Sequence, residues 1–273
     1  MVRPEQFCPG GRDDDFFQSE HVRSLFAARV KSTYFFDRLL RNKFVSREGF
    51  SYALTKEMSV INTYSGRLQS PARAEAYATR FERGGRKRID AREQKAVRKI
   101  FADLPEVRSV IDVPSGAGRF LASLSGGNRE VIEMDVAADV LELARKRAEK
   151  AGVRAQFLQG DASHVPLADG SVDAVFSNRL LHHMTVAAER GILLREFHRV
   201  TRRYLVVSFF DYLAYGGLRK VLKKLKGRKV NYAGQPTLDE FRAEVIAAGF
   251  RICSIVPTGG PWVAQKFFVL EKA

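Results

Sequence analysis

From about residue 107 onward, short apolar runs alternate with longer stretches in which apolar residues recur every three or four positions. Val110-Ile-Asp-Val-Pro-Ser-Gly-Ala-Gly-Arg119 reads as a buried strand that ends in an acidic residue and a glycine turn. Val110, Ile111 and Val113 are β-branched and suit a strand. The turn is expected to open a helix whose apolar face starts at Phe120 and Leu121. Val131 to Asp135 gives a second strand. The stretch from Ala137 to Ala151 has a helical pattern (Val140, Leu141, Ala144, Ala148), with Gly152 as its stop. A third strand starts at Ala155 and turns at Asp161-Ala162. A fourth runs from Ser171 to Ser177 after the Asp169-Gly170 turn. Val186 to Val200 is helical in period, and Tyr204 to Phe210 is a strongly apolar fifth strand. Thr237 and Glu240 have the spacing of a capping box, and Gly249 ends the helix that follows. Arg251 to Val256 and Val263 to Leu270 give the last two strands. Strand and helix in alternation predict an α/β fold, a parallel sheet with helices on both faces.

Residues 1–95 precede this pattern and are expected to form a mainly helical extension to the domain at 96–273. Val22, Leu25, Phe26, Val30 and Phe36 recur at roughly helical spacing between basic residues. Residues 51–65 show no clear period. Ser70-Pro71 marks a helix start. The spacing predicts a helix over 72–81 that ends at Gly84-Gly85, and another from Asp90 to Phe101.

The glycine turn carries the first chemical signal. A dinucleotide fingerprint needs a third glycine, but Gly116 and Gly118 are followed by Leu121 at that position. No phosphate-loop run follows the strand. Asp112 would repel a diphosphate, and it suits a cationic or hydroxyl-bearing ligand. Asp135 lies about 20 residues past the turn, the spacing at which an acidic side chain meets ribose hydroxyls. The D-x-x-x-G-x-G pattern at 112–118 resembles motif I of the class I S-adenosylmethionine (SAM)-dependent methyltransferases. The segment from Asp161 to His183 resembles members that act on small molecules and lipids.

The resemblance extends over about Val97 to Ala273. It implies a Rossmann-like sheet of seven mostly parallel strands with an antiparallel last strand. It also implies SAM as cofactor and S-adenosylhomocysteine as product. The cofactor would be held by Asp112, Pro114, Gly116, Gly118, Asp135, Val136 and Asn178, with Asp161 and Ala162 near the adenine. Pro114 departs from the glycine of many members and has no N–H to donate. A helix before the first strand often covers the cofactor in this family, which places Tyr77, Arg80 and Phe81 there. Arg80 would pair with the cofactor's carboxylate, unless it is a surface residue of a packing helix. His182 and His183 follow the fourth strand. His183 is the leading candidate for a general base, or else it only starts a helix there.

Charge narrows the acceptor. The chain of 273 residues carries a formal net charge of +15, which implies an anionic partner. Between Gly216 and Gly227, within an insertion at about 212–235, Leu218, Val221, Leu222 and Leu225 form one apolar stripe among lysines and arginines. Such a helix lies on an anionic membrane surface or packs as a lid over the site. Cys8 and Cys253 have no metal-ligand spacing, and neither a secretory signal nor a membrane-spanning run is seen. The expected location is the cytoplasm, with peripheral contact on the inner face of the membrane. The leading expectation is O-directed methyl transfer to a small-molecule, glycan or lipid-linked acceptor. Two alternatives stay open: an RNA methyltransferase using the basic surface, and a SAM-binding regulator without catalysis.

Overall fold

The structure, a computed structural model, describes residues 75–76, 78–81, 84–211, 235–260 and 263–273. The extension through residue 74, Tyr77 and the insertion at 212–234 lie outside the described residues, as do the expectations made for them.

The described elements are α1 (Gly84–Ala102), β1 (Ser109–Asp112), α2 (Leu121–Leu124), β2 (Glu130–Asp135), α3 (Ala138–Ala151), β3 (Ala155–Gln159), β4 (Val172–Ser177), α4 (Ala187–Val200), β5 (Thr201–Phe210), α5 (Leu238–Ala247), β6 (Phe250–Pro257) and β7 (Gln265–Lys272). A short 3₁₀ turn at Leu181–His183 follows β4. The seven strands lie in the order β3-β2-β1-β4-β5-β7-β6. Five run parallel from β3 to β5, and β7 pairs antiparallel with both β5 and β6.

Alternation along the strands builds two cores, because successive side chains face opposite sides of a sheet. On one side Ile111, Val175, Leu205, Val207, Phe268 and Leu270 pack on Leu193, Leu194 and Phe197 of α4 and Phe241 and Val245 of α5. On the other side Val110, Val131, Ala174, Phe176, Val206 and Phe267 pack on Val97, Ile100 and Phe101 of α1 and Leu121 and Leu124 of α2. Burying each of these large side chains is worth about 1.5–3 kcal/mol.

Local signals set the element ends. Thr237 Oγ1 accepts from the Glu240 amide at 3.2 Å, and Glu240 Oε2 accepts from the Thr237 amide at 2.9 Å. Gly152 caps α3 at φ +63°, a left-handed conformation that glycine adopts without strain. Two expectations shift. The helix after the glycine turn is only four residues long, with Gly126 and Gly127 following its C-cap residue Ser125. The helix expected from Asp90 begins six residues earlier, at Gly84, so it crosses the expected boundary at residue 95.

Candidate active site

The strand order reverses direction on either side of β1. β2 and β3 lie on one side and β4 and β5 on the other, which makes a switch point at the carboxyl ends of β1 and β4. A cavity of about 270 Å³ opens there. Pro114, Ser115 and Ala117 of the glycine turn line it, with Asp135 and Val136 at the end of β2. Asn178, Arg179, His182 and His183 line it after β4, and Arg80 and Phe81 approach from the segment before α1. The Val113–Pro114 peptide is cis.

Asp135 is the carboxylate of the cavity wall. It is 8% exposed. Its Oδ2 accepts from the Gly116 amide at 2.9 Å and its Oδ1 from the Ala137 amide at 3.0 Å. Each oxygen keeps a second lone pair, so the group can still accept from two hydroxyls. Burial raises its pKa, while the bonds from Ala137, Gly116 and Val136 pull it down.

Several predicted site residues stand behind the wall rather than on it. Asp112 is 1% exposed, and neither carboxylate oxygen has a hydrogen-bond partner. It lies in register with Glu133 of β2. Period two puts it on the Val110 face, under the turn. Burial first, then the nearby Glu133, pushes Asp112 well above the carboxylate range. Burial likewise pushes Glu133 up to about 8, against the pull of Ser115 and Arg147. Gly116 and Gly118 have φ of +56° and +65°. A Cβ on Gly118 would stand 3.1 Å from Ala144 Cβ, so this glycine lets α3 close on the turn. Asp161 Oδ1 accepts from the amide and hydroxyl of Ser163 at 2.8 and 2.7 Å, and Ala162 packs in the core.

The two histidines differ. Their ring centroids are 4.0 Å apart, and the His182 ring also lies 4.9 Å from that of Phe210. His183 is exposed and His182 is half-buried. Burial first, then the charges of His183, Arg179 and Arg80, lowers His182 to about 3. Its surroundings thus favour the neutral ring, whose buried Nδ1 has no hydrogen-bond partner. Gln235 donates to its backbone carbonyl at 2.5 Å.

The sequence reading missed a buried polar chain in the wall. Glu93 of α1 is fully buried and ion-paired with Arg119 at 2.6 Å and Arg179 at 2.5 Å. Arg119 also binds Asp90 at 2.6 Å. Arg179 donates to Gln265 Oε1, and Gln265 Nε2 donates to Asn178 Oδ1, both at 3.0 Å. Arg179 sits at φ +62°, and its amide donates to Ser208 Oγ at 2.7 Å. The guanidinium carbons of Arg80, Arg119 and Arg179 lie 4.8, 4.2 and 5.2 Å from the centre of the Phe81 ring, within cation–π reach. Period offers one clue to Glu93. It lies four residues before Val97 and seven before Ile100, on the buried face of α1.

Residues 111–206 match the model of a methyltransferase domain family. The fold also aligns with magnesium protoporphyrin IX methyltransferase from Synechocystis PCC 6803, solved with bound SAH. The TM-score is 0.63 at 17% identity, over 78% of this chain and 99% of that one. The chain thus carries a methyltransferase domain on the fold of the class I SAM-dependent methyltransferases. Among curated methyltransferases, a malonyl-[acyl-carrier protein] O-methyltransferase of Yersinia pestis is 37% identical over 109 residues, 40% of this chain and 38% of that protein. An arsenite methyltransferase of Halobacterium salinarum is 29% identical over 164 residues, 58% of this chain and 41% of that protein. The chain thus spans about two fifths of the length of these curated relatives.

The wall of this methyltransferase cavity fits the family's cofactor. Asp135 offers two acceptor positions beside Pro114, Ser115 and Ala117 of the turn. Among the described residues no group of three or more His, Cys, Asp or Glu side chains is placed to hold a metal ion.

Proposed function

We propose that the chain transfers the methyl group of SAM to an oxygen of a small anionic acceptor, free or linked to a glycan or lipid. One observation carries this reading. The cavity at the switch point has a hydroxyl-accepting carboxylate on the β2 side and guanidinium groups on the α1 and β4 sides.

When bound, SAM supplies a methyl group already activated on a sulfonium. The residues of the chain hold and orient. Asp135 accepts hydrogen bonds from the ribose hydroxyls, with Val136 beside it. The turn brings Pro114, Ser115 and Ala117 to the ligand, Gly116 and Gly118 shape it from behind, and Asp112 lies under it as a buried acid. Asp161 and Ala162 set the turn on the adenine side. Arg80 pairs with the cofactor's carboxylate, and Asn178 is fixed by Gln265 at the join between the cofactor and acceptor sides. Alignment of the reacting atoms supplies much of the rate in such a transfer. Where the acceptor is a hydroxyl, its proton goes to exposed His183, because His182 binds a proton too weakly.

The net charge of +15 supports two further parts of the reading. One is peripheral attachment of the basic insertion to the inner face of a membrane. The other is an RNA acceptor as a second candidate, whose binding would fall steeply with salt.

Calorimetric titration with SAM tests the cofactor side. Asp135→Ala should weaken binding by about tenfold or more, the loss of one to two charge-assisted hydrogen bonds. Unchanged affinity would remove Asp135 from the site.

A further inference from the structure

The geometry points to a carboxylate as the methyl-accepting group, received by Arg179. This deepens the proposed O-directed transfer and rests on it.

The argument starts from how the cavity is divided. The ribose-accepting carboxylate, Asp135, ends β2 on one side of the switch point. Arg179 follows β4 on the other side. Four guanidinium side chains line the cavity (Arg80, Arg119, Arg147 and Arg179), against one carboxylate. That carboxylate is already engaged by two backbone amides. Arg119 is paired with Asp90 and Glu93 behind the wall, and Arg80 is the guanidinium assigned to the cofactor's own carboxylate, which leaves Arg179, after β4, as the one on the acceptor side.

Arg179 is the one built to serve it. Its left-handed backbone is fixed by Ser208, and its Nη2 is fixed by Glu93 and Gln265. Its Nε is buried and has no hydrogen-bond partner. A buried donor left without an acceptor is costly, and a carboxylate oxygen would satisfy it. Guanidinium matches a carboxylate in charge and in planar geometry. The Phe210 ring, 5.4 Å from the Arg179 guanidinium, helps to hold that side chain in place.

The chemistry balances without a base. An acceptor carboxylate oxygen forms the new carbon–oxygen bond. The carbon–sulfur bond of the cofactor breaks and leaves its electron pair on sulfur. The products are a neutral methyl ester and a neutral thioether, and no proton moves. A site whose deeper histidine stays neutral has no difficulty with such an acceptor.

The test has two arms on the full chain. In the first, malonate and its uncharged analogue malonamide are titrated into protein saturated with S-adenosylhomocysteine. Malonate should bind at least tenfold more tightly than malonamide. Arg179→Lys, which keeps a positive charge beside Glu93 but lacks the fork, should lose about tenfold in malonate affinity and keep its S-adenosylhomocysteine affinity within about twofold. Arg179→Gln should lose more, and if it does not fold the lysine variant decides. Equal binding of the two probes, or malonate affinity unmoved by Arg179→Lys, overturns the proposal.

In the second arm, methyl-tritiated SAM is incubated with an extract of the cells that make the protein, and the labelled product is treated with alkali. Release of the label as volatile methanol supports a methyl ester. Label that stays fixed in alkali overturns the carboxylate while methyl transfer itself stands. No label in any fraction, from protein that binds SAM, overturns the proposed function and this inference with it.

Discussion

His182 and Asp135 line the same cavity, and burial disfavours the charged form of both, but only Asp135 has backbone amides to hold that form. Asp135 is buried but held by backbone amides, so its ionised form keeps partners. His182 is half-buried beside a second imidazole and near two guanidiniums, so its charged form is disfavoured. A histidine whose folded pKa is depressed contributes stability above its unfolded value of 6.5, and that contribution is lost as pH falls toward about 3. Nitrogen-detected NMR should therefore find the His182 ring still neutral at pH 5, where a free imidazole is mostly protonated. A midpoint near 6.5 would show that the ring is solvated and would return it to the list of possible bases. None of this was legible from the His182-His183 dipeptide, which gives both residues the same local sequence. The difference comes from Phe210 and the arginines, brought in from other elements.

At the scale of elements, strand β2 carries a contradiction that its pattern partly conceals. Val131 and Glu133 share a face by period two, and that face is the core under α1, α2 and α3. Glu133 thus sits fully buried beside Asp112. A carboxyl raised from 4.5 to about 8 costs the folded state nothing below pH 4.5, and costs it progressively more as pH rises from there to 8. Glu133→Gln should stabilise the fold at pH 8 by an amount on the order of a few kcal/mol, read as a higher melting temperature, and change it little near pH 4.5. A variant that melts no higher than the parent at pH 8 would mean that Glu133 is ionised and satisfied in the fold. Elements whose signals are local were legible beforehand, such as the capping box of α5 and the glycine stop of α3. The polar chain through Glu93, Arg179 and Gln265 was not, because its partners lie 86 residues apart in both links. A charged residue on an amphipathic helix is ordinarily assigned to solvent, and Glu93 is the exception on α1. Period puts Glu93 on the buried face of α1, but its partners Arg119 and Arg179 show only in the fold.

At the scale of the whole molecule, alternation of strand and helix was enough to foresee the sheet. Its reversal at β7 came from the family resemblance rather than from the pattern itself. Net charge acts at this scale too. Among the described residues no helix is long and apolar enough to cross a membrane. A chain of net charge +15 that meets anionic lipid through its basic insertion should co-sediment with phosphatidylserine-containing vesicles at low salt. It should release from them near 0.5 M salt, and Lys223→Gln with Lys224→Gln should weaken the attachment several-fold. Equal recovery on neutral vesicles would reject the electrostatic contact. A second consequence follows from the place of β7 between β5 and β6. Its first residue, Gln265, holds both Asn178 and Arg179. During synthesis, a nascent chain halted before residue 265 would leave β5 as an open edge, exposed to pairing with other chains. Its pocket would have Asn178 and Arg179 without the side chain that fixes them until the ribosome delivered β7.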